Sequence, residues 1–165
     1  MRYFLFFLLV GTCFARIEVS GTHFIKDGQP WVWIGDTAWR GCTDSMRYET
    51  RFKEYVNLRA LQGFTVIQMI LSNQMMSYRN EGGEIFKVIW DEKQFGAVNI
   101  DYLLWVGRRV TYMNSKGIVP VLFISWADEY VKFTNLEFEY YLNILTNYFT
   151  KTGLEYIWCL CGEYN

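Results

Sequence analysis

The chain has 165 residues, of which 16 are basic and 17 are acidic, so its formal net charge is −1 at pH 7. At this length it can form one domain, and it is shorter than the roughly 250 residues of a closed eight-stranded α/β barrel. The two signs nearly cancel and neither forms a block, which argues against electrostatic attraction to nucleic acid or to an anionic membrane. Aromatic residues make up 19% of the chain, and such rings either fill a core or stack on sugars. A neutral partner fits this composition better than a charged one.

The N-terminus has the pattern of an export signal. Arg2 supplies a positive charge, an unbroken apolar stretch follows, and small residues lead to a cleavage position after Ala15. The apolar stretch is too short to cross a bilayer, which takes about 20 residues. We therefore expect a signal peptide over residues 1–15, a mature domain over 16–165 and a secreted or periplasmic protein. An uncleaved anchor, or a lipid anchor at Cys13, is the alternative.

Cysteine and histidine give no sign of a metal site. After signal removal Cys42, Cys159 and Cys161 remain, and an odd number defines no complete disulfide framework, although one bridge and a spare thiol would be compatible with export. The last two are not spaced as a zinc knuckle, and we interpret them as packing residues. The one histidine, His23, lies in a predicted hairpin, so a surface or packing role is favoured over that of a catalytic base. We expect neither a metal nor a cofactor.

Apolar runs alternate with amphipathic helical segments along the mature chain. Residues 17–25 and 31–34 flank an Asp-Gly turn, which predicts a hairpin or a short leading strand followed by the first core strand. The polar segment 72–97 is long for a connection, and its aromatic residues argue against disorder, so we expect a loop over a cleft. The other predicted elements are helices at 48–61, 100–115 and 135–150, with glycine near their ends, and core strands at 64–70, 118–124 and 156–161.

This order of elements predicts an α/β fold with a parallel sheet and right-handed crossovers. A doubly wound sheet and half of a barrel both fit it. No glycine-rich phosphate loop follows the first strand, which argues against a nucleotide-binding fold. Polar and aromatic groups follow the strands instead, as at the catalytic rim of a barrel enzyme. They are Asp36 and Trp39 after the first core strand, Gln68 at the second, Trp126 and Asp128 after the third, and Glu163 after the fourth.

Four segments resemble, in order and at similar spacing, the signatures of apiosidase-like glycoside hydrolases. They are DGQPWVWIGDTAW at 27–39, RALQGFTVIQ at 59–68, the pair Trp126 and Asp128, and IWCLCGE at 157–163. That family consists of secreted (β/α)8 barrels of the large retaining clan A. The resemblance covers nearly the whole mature chain. It implies a glycosidase that hydrolyses O-glycosidic bonds in complex polysaccharides with two carboxylates.

The resemblance also implies roles for individual residues. Glu163 matches the acid/base, which protonates the leaving oxygen and then activates water. Substrate contacts are implied for Asp36 and for Gln68 and Asp128 as hydrogen-bonding groups, and for Trp39 and Trp126 as stacking rings. Structural interpretations stay open beside these: a helix cap for Asp36, a strand-end hydrogen bond for Gln68, core packing for Trp126 and an ordinary exposed position for Glu163.

The chain departs from the family pattern next to Glu163. Many clan members have asparagine directly before the acid, where this chain has Gly162, and Cys161 stands where the family often has a further glycine. The nucleophile belongs after a later strand. We therefore expect these residues to be the N-terminal half of a truncated barrel, inactive alone and poorly soluble because its edges and lumen are open. The alternative is a non-catalytic carbohydrate-binding or structural remnant of such a barrel.

Overall fold

The computed structural model describes residues 17–42, 46–71, 78–79, 85–86, 100–126 and 135–162. The chain divides into two compact units, residues 1–31 and 32–165, and each is described by itself. No helix within the described ranges is long and apolar enough to cross a membrane.

The first unit contains a three-stranded antiparallel sheet in the order β1, β2, β3. The strands are β1 (Ile17–Ser20), β2 (His23–Lys26) and β3 (Gln29–Trp31). The turn before β3 has positive φ angles at Asp27 and Gly28, 53° and 76°, as a two-residue hairpin turn requires. The predicted hairpin is confirmed, but the predicted single strand over 17–25 is wrong. A second turn interrupts it at Gly21, whose φ of 60° favours glycine.

The second unit is built on a four-stranded parallel sheet flanked by three helices. Its first strand begins later than the apolar run 31–34 predicted. The Thr65 hydroxyl donates to the Val32 carbonyl at 2.7 Å and accepts the Ile34 amide at 2.9 Å. The Thr65 amide also donates to the Ile34 carbonyl at 2.9 Å, so side-chain bonds accompany irregular backbone pairing there. Regular pairing starts at Gly35. The sheet strands in order are β4 (Gly35–Thr37), β5 (Val66–Ile70), β8 (Val119–Trp126) and β9 (Ile157–Gly162).

The helices follow the strands as the sequence predicts. They are α1 (Glu49–Leu61), α2 (Ile100–Ser115) and α3 (Asn135–Thr150), with a short 3-10 helix at Trp39–Cys42 and a small antiparallel pair, β6 (Tyr78–Arg79) and β7 (Ile85–Phe86). The last two helices keep the predicted bounds, and α1 differs by one residue. Most of the predicted loop over residues 72–97 lies outside the described residues.

The strand order decides between the two folds that the sequence left open. Each strand of the parallel sheet pairs with the next one in the chain, so the crossovers all step in one direction. A doubly wound sheet reverses direction at a switch point, whereas consecutive barrel strands do not. The described sheet therefore has the order of neighbouring barrel strands.

The helices cover one face of this sheet and form the core with it. Along β5, Ile67 and Met69 join the core while Gln68, between them, belongs to the opposite face. The core is completed by side chains of the three helices and of β8. Its fully buried members include Phe52, Val56, Tyr102, Leu103, Val106, Val110, Met113, Leu122, Ile124, Tyr141, Leu145 and Phe149.

Pro120 illustrates how the sheet accommodates a residue without an amide hydrogen. The Val119 amide donates to the Thr65 carbonyl at 2.9 Å, so the backbone of the next residue points away from β5, towards β9. Pairing with β9 begins only at Val121. Proline is therefore tolerated near the start of this strand, since no ladder bond is lost.

Each helix sends one tyrosine hydroxyl to the end of a strand. Tyr55 of α1 donates to the Asp36 carboxylate at 2.6 Å, Tyr102 of α2 donates to the Leu71 carbonyl at 2.7 Å, and Tyr141 of α3 donates to the Ile124 carbonyl at 2.8 Å. The strand ends at the carboxyl edge of the sheet are thus tied to the helices in three successive units.

Candidate active site

The carboxyl ends of the four parallel strands form one edge, and the predicted site residues lie along it. Gln68 pairs with Thr37 on one side and with Val121 on the other. At the far end of the sheet Trp126 pairs with Gly162, the residue before Glu163 in the sequence. Glu163, Asp128 and the side chain of Trp126 lie outside the described part of the structure.

Trp39 lies on the face of the sheet opposite the helices. Its ring meets the Phe123 ring edge-on, with the centroids 5.1 Å apart and an interplanar angle of 82°. Phe123 alternates with the core residue Leu122 and pairs with Ile70 and Cys159, which defines the face. The Trp39 side chain is 37% exposed. A partly exposed ring above a neighbouring ring is suited to stacking on a sugar.

Gln68 is half-buried on the same face and takes part in bonds between strand ends. The Thr37 hydroxyl lies 3.4 Å from its Oε1 atom, and its backbone carbonyl accepts the Ala38 amide at 2.9 Å. These contacts support the interpretation that Gln68 closes a strand-end hydrogen bond. Its predicted contact with a sugar stays a prediction.

Asp36 is bound by groups of its own chain. Its Oδ2 atom accepts hydrogen bonds from the Tyr55 hydroxyl, at 2.6 Å, and from Arg59 Nε, with which it forms an ion pair. Its Oδ1 atom accepts the Thr37 amide at 2.8 Å. Asp36 pairs with Ile67, a core residue beneath the helices, so its side chain lies on the helix face, away from Gln68.

These contacts change the acid–base properties of the group. Partial burial opposes ionisation of Asp36, but the hydrogen bonds from Tyr55, Arg59 and Thr37 outweigh it and lower the pKa of the carboxyl. Burial, and then the bond to the carboxylate, raise the pKa of the Tyr55 hydroxyl. The site therefore holds an ionised aspartate, and its geometry favours a supporting role at the strand end over direct contact with a sugar. The helix-cap alternative does not describe it either, because α1 begins after Tyr48 without a side-chain cap.

Arg109 is a buried cation that the sequence analysis did not single out. It is 3% exposed, and its guanidinium carbon lies 4.3 Å from the centroid of the Phe52 ring and 3.8 Å from that of Trp105. Its Nη1 donates to the Gly41 carbonyl at 2.6 Å, and its Nη2 donates to the carbonyl of Met46. The signal in the sequence is an arginine at a core position of α2.

The structure describes the side chains of two cysteines. Cys42 and Cys159 form no disulfide. Cys42 is fully buried, with its Sγ 3.9 Å from Met69 Sδ. Burial raises the pKa of its thiol to about 12, against a smaller opposing effect of the Arg109 charge. The interpretation of Cys159 as a packing residue stays a prediction. The side chain of Cys161 lies outside the described part of the structure.

Several solved structures that superpose on this chain are described as glycoside hydrolases or as a mannanase. One described as a glycoside hydrolase superposes with a TM-score of 0.70 at 18% sequence identity, covering 92% of this chain and 35% of its own. A glycoside hydrolase family 5 protein from Bacteroides vulgatus ATCC 8482 gives 0.71 at 20% identity, covering 92% and 34%. An endo-1,4-beta-mannanase from Rhizomucor miehei gives 0.60 at 15% identity, covering 90% and 48%. The chain thus spans about a third of the length of the first two.

The likeness to these structures is one of fold, and in barrels of this kind active sites lie at the carboxyl ends of the strands. The sequence assigns the chain more narrowly. Residues 20–165 match the family model described as "Apiosidase-like, catalytic domain", and the chain belongs to this family. No protein of curated function matches it in sequence.

Proposed function

We propose that this protein is a glycosidase that hydrolyses O-glycosidic bonds in complex polysaccharides with retention of configuration. The proposal includes residues 16–165 as the first four strands of a (β/α)8 barrel. The observation that carries it is the family match, which runs from residue 20 through Glu163 to residue 165. The consecutive order of the four parallel strands supports it independently.

Glu163 is the proposed acid/base. As an acid it protonates the leaving oxygen, and as a carboxylate it then removes a proton from the water that attacks the glycosyl-enzyme. This double role needs a carboxyl whose pKa is held up by its surroundings. Retention needs a second carboxylate about 5 to 5.5 Å away as nucleophile, and the resemblance puts that group after a later strand.

The substrate is proposed to bind along the carboxyl edge of the sheet. Trp39 and Trp126 would stack on sugar rings. Gln68 would donate hydrogen bonds to sugar hydroxyl groups or accept them, and Asp128 would accept them. Asp36 would support this edge through its bonds to α1. The partner is therefore an uncharged oligosaccharide or polysaccharide, in agreement with the balanced charge of the chain.

Export belongs to the same proposal. A signal peptide over residues 1–15 would deliver the protein to the cell exterior or the periplasm, where polysaccharides are encountered. N-terminal sequencing of the mature protein tests this, and a product beginning at Arg16 is expected. A product that retains Met1, or one lipidated at Cys13, would contradict it.

The role of Glu163 is tested in the complete gene product, first screened for activity on plant and other branched polysaccharides. Glu163→Gln should abolish turnover of the best natural substrate while binding, measured by calorimetry, is kept. Glu139→Gln removes an exposed carboxylate from α3 and is the matched control, with turnover unchanged. Equal rates in wild type and Glu163→Gln would refute the assignment, and wild-type binding without any turnover would favour the carbohydrate-binding alternative.

A second experiment separates an acid/base from a nucleophile. With a dinitrophenyl glycoside the leaving group needs no protonation, so Glu163→Ala should still form the glycosyl-enzyme. Azide should then attack the anomeric carbon in place of activated water and restore turnover, with a glycosyl azide of retained configuration as product. A variant that cannot react even with the activated substrate would identify Glu163 as the nucleophile or as a structural residue instead.

A further inference from the structure

Side chains of α2 are hydrogen-bonded to the turn that carries Trp39. This turn starts at Trp39 and is closed by a hydrogen bond from the Gly41 amide to the Ala38 carbonyl, at 2.7 Å. A Cβ atom on Gly41 would lie 2.6 Å from Met69 Sδ, so the turn packs directly on β5, and the Met69 side chain would have to shift to admit a larger residue. Gly41 and Cys42 are buried, so their carbonyl groups need hydrogen-bond donors from the protein itself.

Arg109 of α2 supplies those donors. Its guanidinium bonds to the carbonyls of Gly41 and Met46, and its Nη2 lies 3.4 Å from the Arg47 carbonyl. Tyr102, seven residues earlier and on the same helix face, has its hydroxyl 3.4 Å from the Cys42 carbonyl. One helix of the second βα unit thus holds both sides of the loop that follows the first strand.

Arginine suits this position better than lysine. A buried charge is costly unless it is hydrogen-bonded, and here the carbonyl oxygens and the faces of Phe52 and Trp105 surround the guanidinium. The planar fork reaches several acceptors at once, whereas a lysine ammonium is a point donor on a flexible stem. Arginine at position 109 is therefore matched to the loop carbonyls.

We propose that Arg109 is a positioning residue for substrate recognition: by holding the carbonyls of Gly41 and Met46 it sets the turn from which Trp39 reaches the carboxyl edge of the sheet. The inference rests on the proposed function, because Trp39 is taken to stack on a sugar. Arg109 would thus influence substrate recognition through Trp39, without touching the substrate itself.

The position of Trp39 can be tested without any sugar. Protein labelled with 5-fluorotryptophan gives one ¹⁹F signal per tryptophan, and Trp39→Phe identifies the signal of interest. Arg109→Lys and Arg109→Met should both shift or broaden the Trp39 signal. Arg108→Met, which removes the exposed neighbouring arginine, should leave it unchanged. The Trp105 signal is no criterion, since Trp105 touches Arg109 directly.

An unchanged Trp39 signal in folded Arg109→Lys would overturn the proposal. This variant keeps the positive charge, so it can be used if Arg109→Met fails to fold.

Enzyme kinetics provide a second test. In the complete gene product, Arg109→Lys should raise KM by about tenfold and leave kcat within about twofold. In a Trp39→Phe background the same substitution should add nothing, since both changes act on one contact. Additive losses would contradict it. If no glycan is turned over by the wild type, the proposed function fails, while the ¹⁹F result still decides whether Arg109 positions Trp39.

Discussion

At the scale of single residues, the Asp36 carboxylate shows how groups of the same chain can bind a motif residue and change its pKa. Its three donors come from Tyr55, Arg59 and Thr37, and they lower its pKa in the folded chain. The ionised Asp36 carboxylate therefore stabilises the folded state at pH values above the ordinary aspartate pKa of about 3.9. This stabilisation is lost as the pH falls through the lower pKa that Asp36 has in the folded state.

Asp36→Asn should accordingly lower the free energy of unfolding at pH 7 by about 1 kcal/mol, a modest value because the ion pair is partly exposed and screened. Urea unfolding followed by circular dichroism measures it. The gap to wild type should shrink as the pH is lowered towards 3. Glu54→Gln removes an exposed carboxylate from α1 and should change little at either pH. A gap that stays constant with pH would contradict the assignment.

Cys42 is a second case in which the surroundings set the chemistry. Because burial raises the pKa of its thiol to about 12, thiolate at pH 8 should be on the order of 10³-fold scarcer than in the unfolded chain. Iodoacetamide should therefore alkylate Cys42 only after unfolding in urea, as read by mass spectrometry of the peptide that contains it. Rapid modification in the native protein would show that the thiol is accessible.

At the scale of elements, the three tyrosines show how helices and strands are joined at the carboxyl edge. The clearest case is Tyr141, because pairing between β8 and β9 runs through Phe123 and resumes at Ser125. The Ile124 carbonyl between them accepts the Tyr141 hydroxyl at 2.8 Å. Helical periodicity predicts that Tyr141 is buried, but it does not reveal this acceptor, which belongs to a residue 17 positions away.

Tyr141→Phe should lower the free energy of unfolding by about 1 to 2 kcal/mol, because a buried carbonyl loses its donor while the ring is kept. Chemical denaturation of the purified protein provides the measurement. The neighbouring Tyr140 is 51% exposed while Tyr141 is fully buried, so Tyr140→Phe is a matched control with an expected change near zero. Similar losses in the two variants would show that the bond to Ile124 contributes nothing.

At the scale of the whole molecule, the outer strands of the parallel sheet are the exposed feature. Within the described residues β4 and β9 each pair on one side only, and Leu160 of β9 is 66% exposed. An apolar side chain on an open strand edge invites pairing with another chain. Poor solubility of these residues alone stays a prediction.

Leu160→Lys should therefore increase the monomer fraction of the 165-residue chain in sedimentation velocity experiments. Leu61, at the end of α1, is even more exposed, but it does not lie on a strand edge. Leu61→Lys adds the same charge and should have the smaller effect. Equal improvement in both variants would mean that charge, and not the edge of β9, controls association.

The sequence by itself determined the order of the elements, the helix bounds and the family, because apolar periodicity and motif spacing are local properties. It misplaced the first core strand, since the apolar run 31–34 does not show which residues pair with β5. Only the tertiary structure put Asp36 on the helix face, opposite to Gln68, because strand register decides the side on which a residue lies. It alone also revealed Arg109 beneath the Trp39 turn, since that contact joins residues 68 positions apart.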